Sequence, residues 1–167
     1  ARRGGRARVT NGRAPRLALH SSVLTAFRHP VLITIIAGTN RPASRARRLA
    51  YYYQRILAEL GAESQILDLA ELPVDFISTA LYANAGTHAD FNRLSTMLDA
   101  GEKLVIITPE YTASFHGVLK AFIAGRTEPG GIRGKKAGLG GGGDGGDGGR
   151  PPLAQLPEML AQLGSHP

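Results

Sequence analysis

The chain has 167 residues, enough for one domain with a sizeable core. It has no cysteine, which excludes disulfides, thiol catalysis and cysteine-built metal sites, and its five histidines show no metal-ligand spacing, so no metal is expected. The net charge of +7 is unevenly placed: residues 1–30 hold seven arginines and no acid, whereas the other 137 residues hold 13 basic and 13 acidic groups.

Residues 1–30 therefore read as a basic, disordered leader, and residues 31–167 as the folded domain. The leader's Arg-rich, acid-free composition also fits an organelle transit peptide; without that role a cytoplasmic location is expected. A basic arm attracts phosphate, but one aromatic and no recognition motif disfavour nucleic acid as a partner. The longest apolar run, "VLITIIA", spans seven residues, so no membrane partner is expected.

"VLITIIA" (31–37) is continuously apolar and branched, the pattern of a parallel strand buried on both faces. Leu49, Tyr53, Ile56, Leu57 and Leu60 then recur at helical spacing and Gly61 ends the helix, so one or two of the tyrosines at 51–53 are expected to point inward and pack in the core. "SQILDL" (64–69) completes a βαβ unit. Residues 70–87 read as a long connection, "HADFNRLSTMLDAG" as a helix ending near Gly101, and "KLVIITPEY" (103–111) as a strand stopped by Pro109. Residues 114–125 read as a helix. "GIRGKKAGLG" (131–140) is a weak fourth strand running into "GLGGGGDGGDGG", which is too glycine-rich for a secure strand end, and 153–164 is a last helix despite Pro157. Alternating strands and helices imply an α/β sandwich.

Open α/β sheets bind ligands beyond the carboxyl ends of their strands. The turn after the first strand, "GTNRPASRARR", opens a helix, and helix N-termini attract anions. Arg41, Arg45, Arg47 and Arg48 crowd a place where cations are otherwise unfavourable. A bound phosphate would offset that charge, with one or two arginines touching it and the rest in water. The turn lacks GxGxxG, which disfavours a dinucleotide and favours a mononucleotide, foremost FMN.

"GTNRPASRARRLA" (38–50), "LPVDF…ALYAN" (72–84) and "PEYTASFHGVLKAFI" (109–123) resemble the NAD(P)H-dependent FMN reductases of flavodoxin-like fold. The resemblance implies a three-layer α/β sandwich with a parallel sheet of order 2-1-3-4(-5), the last strand missing and the domain C-terminally truncated. It implies that Thr39, Arg41 and Ser44 hold the FMN phosphate, and that Pro109, Glu110, Tyr111, Thr112 and Ser114 lie along the isoalloxazine ring. The glycines from Gly140 to Gly146 match a third flavin loop. Thr112 stands where the family has asparagine, His116 where it has proline and Ala124 where aspartate is common. The implied activity is hydride transfer from NADPH or NADH to FMN and on to a small-molecule acceptor such as free flavin or a quinone. No general acid or base is required, so no catalytic side chain is assigned. His116 is expected to cap its helix or face solvent, Tyr82 to reach a flavin edge or a dimer contact, and the chain to form dimers or tetramers. The alternatives are an FMN-binding electron carrier without nicotinamide activity, and an inactive truncated remnant.

Overall fold

A computed structural model describes residues 30–126, 131–143 and 148–167. The expected leader lies outside them, apart from Pro30, as do positions 144–147 of the glycine run. In chain order the elements are β1 (Ile33–Ala37), α1 (Arg45–Glu59), β2 (Ser64–Asp68), α2 (Phe76–Thr79), α3 (Ala89–Ala100), β3 (Lys103–Tyr111), β4 (Ser114–Phe115), α4 (Gly117–Ala124), β5 (Lys136–Gly142) and α5 (Arg150–Gln162).

Four strands form one parallel sheet in the order β2-β1-β3-β5, the expected 2-1-3-4 arrangement once the two-residue β4 takes its own number. β4 instead pairs antiparallel with the end of β3. Branched residues make the central strands, and their alternation assigns the two faces. Ile35, Ala37 and Ile107 face α1, meeting Ala46 and Ala50. Ile36, Leu104, Ile106 and Ala137 face the other way, against Phe76, Phe91, Leu94, Leu98, Leu119, Phe122, Leu156 and Leu160. Among the described residues, α1 thus covers one face and α2 to α5 the other.

Several expectations need correction. The inward stripe of α1 is Ala46 and Ala50 with half-buried Leu57 packed beside them as expected, Ile56 is half-buried, and Leu49, Tyr51, Tyr52, Tyr53 and Leu60 are exposed. Tyr51 and Tyr52 instead carry the guanidinium groups of Arg47 and Arg55 at 5.4 and 4.9 Å from their ring centroids. Residues 70–87 are more than a connection: Leu72, Phe76, Ala80 and Leu81 are buried in the larger core cluster. Pro109 does not stop β3, because the strand stays in register with β5 through the Pro109–Gly142 pair. The helix expected from 114 begins at Gly117, since Ser114 and Phe115 return along Tyr111 and Glu110. α5 begins earlier than expected, at Arg150, with prolines at its first turn, where a missing N–H costs no helical bond.

The glycine-rich segment is a strand through Gly142, against expectation. Its ladder to β3 runs from Lys136 to Gly142. A Cβ on Gly141 would lie 2.6 Å from the Gly149 carbonyl oxygen and 2.9 Å from Leu153 Cγ, so the close return of the chain toward α5 requires glycine there. After α5 the chain comes back to the free edge of β5. Lys136 and His166 form a parallel bridge, with Ala137 N–H donating to His166 O at 3.0 Å and His166 N–H to Lys135 O at 2.9 Å.

Candidate functional site

The carboxyl ends of β1, β3 and β5 open into one cleft of about 610 Å³. That volume suits a small cofactor. Its walls come from the β1–α1 turn (Arg41 to Ala46), the outer side of the first helical turns (Arg48, Leu49), the end of β3 (Ile107, Pro109, Glu110, Tyr111) and the end of β5 (Gly142, Gly143).

The β1–α1 turn is tied down from within. Gly38 N–H donates to Ile107 O at 2.8 Å, and Arg41 N–H donates to Thr39 Oγ1 at 3.1 Å. Ser44 is the N-cap of α1, its hydroxyl accepting from Arg47 N–H at 3.0 Å. Pro42 followed by Ala43 at φ 53° is a tight turn with a non-glycine residue in the left-handed region. The β3–β4 hairpin repeats this. Thr112 and Ala113, at φ 52° and 55°, are the two central residues between the paired Tyr111 and Ser114. Two-residue hairpin turns with both φ values positive favour Asn-Gly. Thr112→Asn with Ala113→Gly is therefore expected to stabilise the protein by about 2 kcal/mol, raising the melting midpoint by roughly 6 °C in a calorimetric scan. An unchanged or lower midpoint would mean that the hairpin carries no such strain.

The four arginines separate. Arg47 forms an ion pair with Asp68, which is fully buried at the end of β2 and also accepts from Ala70 N–H at 3.0 Å. The hydrogen bond to Asp68, and then its charge, raise the Arg47 pKa above its ordinary value. Arg47 therefore belongs to the scaffold. Arg41, Arg45 and Arg48 are exposed and line the cleft. Asp68→Ala removes a buried acceptor of two bonds and is expected to cost about 2 kcal/mol in urea unfolding; a cost below a few tenths would show that the pair is incidental.

Of the residues expected to hold ligand, Arg41, Ser44, Pro109, Glu110 and Tyr111 line the cleft. Glu110 turns one carboxylate oxygen to accept from Gly149 N–H at 3.2 Å. Thr39 is fully buried beneath the turn, Thr112 sits at the exposed hairpin tip, and Ser114 donates to Gln155 Oε1 at 2.6 Å; none of the three lines the cleft. His116 neither caps its helix nor points only to solvent: its Nδ1 lies 2.9 Å from Thr39 Oγ1. That contact spans 77 residues and leaves no local signal in the sequence. Leu49, read as inward-facing, and Ile107 also line the cleft. Among the described residues there is no cluster able to hold a metal and no helix long and apolar enough to cross a membrane.

A parallel sheet of order 2-1-3-4, with a tight turn leading from its central strand into a helix and a cleft at its carboxyl edge, defines the flavodoxin-like class. Residues 31–167 match the NADPH-dependent FMN reductase family, and the chain belongs to that family. It is similar to the flavoenzyme NAD(P)H:(acceptor) oxidoreductase FerB from Paracoccus denitrificans, with 26% identity and TM-score 0.65 over 81% of this chain and 73% of that one. An apo NADH:FMN oxidoreductase, EMOB, shares the fold at 21% identity and TM-score 0.69, over 81% and 70% of the two chains. A flavodoxin from the domain Archaea shares it at 10% identity and TM-score 0.52, over 80% and 75%. No curated protein matches the chain. The protein is an NAD(P)H-dependent flavin oxidoreductase, with FMN as cofactor and NAD(P)H as electron donor.

Proposed function

We propose that the cleft at the ends of β1, β3 and β5 holds FMN and that the protein passes electrons from NAD(P)H to a small acceptor such as free flavin or a quinone. The observation that carries this reading is the joining of two unlike walls in one opening. One wall is a helix N-terminus with Ser44, Arg41 and two further arginines, a donor set suited to a phosphate dianion. The other is Pro109, Glu110, Tyr111 and two glycines, a low surface against which a flat ring can lie. The residues present fit the cofactor in charge, shape and volume.

Ser44, the first-turn backbone of α1 and the Arg41 guanidinium would hold the phosphate. Backbone from Pro109 to Tyr111 would support the isoalloxazine, and Gly142 and Gly143 would let it approach the end of β5. FMN, when bound, would supply the redox chemistry that links nicotinamide to acceptor. The side chains bind, orient and exclude water; none is required to transfer a proton. Val74, Ile77 and Tyr82 are exposed on one segment, which favours self-association into a dimer or tetramer. Light scattering of the purified protein tests that part.

Titrating the protein with FMN and then adding NADPH or NADH with a quinone tests the main reading. A yellow complex with quinone-dependent nicotinamide oxidation is expected. A yellow complex without turnover would instead identify an electron carrier. No complex at all would identify a remnant fold.

A further inference from the structure

One half-buried imidazole has no part in this account. His116 directly precedes α4 at φ −63° and makes no capping bond. Its Nδ1 lies 2.9 Å from Thr39 Oγ1, and its ring stands edge-on to Tyr111, centroids 4.7 Å apart and planes at 86°. One side chain thereby joins the β1–α1 turn to the β3–β4 hairpin, the two loops that frame the cleft. Thr39 is fully buried, and its hydroxyl oxygen also accepts the backbone N–H of Arg41.

We propose that His116 is a positioning residue for the cofactor phosphate: it fixes Thr39, and through it the Arg41 backbone, and it takes up a proton when the phosphate dianion binds. The inference rests on FMN occupying the cleft as proposed above.

The argument is a count of hydrogens. Thr39 has one hydroxyl hydrogen. In the neutral ring with its proton on Nε2, Nδ1 is bare and Thr39 donates to it. When Nδ1 carries a proton, the imidazole donates to Thr39, and the hydroxyl hydrogen is released toward the turn. Burial holds the His116 pKa below its ordinary value, so with the cleft empty the ring is neutral at pH 7. Tyr111 of the hairpin touches the ring, and Arg41 of the first turn shares Thr39 with it. Among the described residues, the other charged groups nearby along these elements are Glu110, engaged by Gly149 N–H, Lys120 on the exposed side of α4, and Arg45, Arg47 and Arg48 in the first turn of α1, of which Arg47 is paired with Asp68. A phosphate dianion on the first turn adds negative charge and raises the pKa in the complex. Affinity is then highest below the free-state pKa, falls as pH rises between the free and bound values, and is lowest above both. Each unit between the two values is worth about tenfold.

The test is a titration with FMN and with riboflavin, which lacks the phosphate, from pH 5.5 to 8.5, followed by flavin fluorescence. Wild type, His116→Pro and His116→Asn are compared. Proline suits φ −63°, and beyond the imidazole contacts under test it costs the backbone one 3.5 Å contact, from His116 N–H to Thr108 Oγ1, so the fold is expected to be kept. The phosphate of free FMN also titrates, near pH 6, but equally for every variant, so the readout is the difference between variants. We expect His116→Pro to lose about tenfold in FMN affinity at pH 6, with riboflavin affinity unchanged. His116→Asn, which keeps a partner for Thr39, should match wild type at pH 8 and lack its gain toward pH 6. The imidazole nitrogens of His116, followed by NMR, should titrate at higher pH with FMN than without. Equal FMN affinities and slopes in all three proteins would overturn the role of His116 and leave the cleft assignment standing. Equal losses for FMN and riboflavin would overturn it in favour of a general packing role. A wild type that binds neither flavin would overturn both.

Discussion

Arg41→Ala is expected to weaken FMN binding by roughly 30-fold while leaving riboflavin affinity and the melting midpoint unchanged. A charge-assisted bond to a phosphate oxygen contributes about 2 kcal/mol, which is that factor. The selectivity follows from where the arginine stands. Its side chain is exposed on the cleft wall, and among the described residues only its backbone N–H is shown engaged with the scaffold. Removing the guanidinium strands no buried partner. Arg47→Ala should behave in the opposite way, because Asp68 would stay fully buried with only Ala70 N–H donating to it. That variant should unfold more readily, and its folded fraction should bind both flavins in the wild-type ratio. Arg48→Ala removes an exposed charge from the same wall and should change affinity only a few-fold, and less so in high salt. Fluorescence titrations with the two flavins, beside thermal melts, read all three. A loss for Arg41→Ala that is equal for FMN and riboflavin would remove the phosphate from the first turn.

This division explains an arginine cluster at a helix N-terminus. Four like charges there would be unfavourable if all were free. Arg47 instead leans away toward Asp68 and the Tyr51 ring, holding α1 against β2, and three remain on the cleft. The sequence shows four equivalent arginines. Only the pairing of β1 with β2, which brings Asp68 beside Ala37, shows that Arg47 belongs to the scaffold.

The same limit governs what could be read elsewhere. β1 and β3 were legible because a strand buried on both faces must be apolar throughout. α3 was legible because Phe91, Leu94 and Leu98 repeat at helical spacing and all face inward. α1 misled in part because its fully buried positions are alanines, which let helix and sheet approach closely, while Leu49, the three tyrosines and Leu60 lie outside and only Leu57 of the expected stripe packs on that core. A reading that weights side-chain size selects the wrong face. In the site, the turn after β1 was legible as local chain geometry, whereas the run of β3 through Pro109 was not, because the pairing with Gly142 that sustains it is non-local. The inward orientation of Thr39 was not legible either, because the partner its hydroxyl meets, His116, lies 77 residues away in the chain. Ser114 was likewise drawn off by Gln155 of α5.

The glycine run carries the second large expectation: Gly141→Ala should destabilise the protein by about 3 kcal/mol, lowering the melting midpoint by roughly 10 °C. A Cβ there would meet backbone, the Gly149 carbonyl oxygen at 2.6 Å, as well as Leu153 Cγ at 2.9 Å. Backbone cannot rotate aside as a side chain can, so β5 or the start of α5 must shift. Gly138 and Gly142 are the controls. A Cβ at Gly138 comes no closer than 3.7 Å to Val105 Cγ2, and one at Gly142 meets nothing within 4 Å. Alanine at either should be neutral or mildly stabilising, since glycine loses more conformational freedom than alanine in a strand. The contrast separates two explanations of the segment. If low complexity alone put these glycines here, the three substitutions would behave alike. If the segment is the fourth parallel strand, paired with β3 and pressed against the return into α5, only Gly141→Ala is severe. Because Gly142 and Gly143 line the cleft, the shift forced at Gly141 should also weaken both flavins in the fraction that remains folded. That loss would be independent of the phosphate, unlike the loss at Arg41.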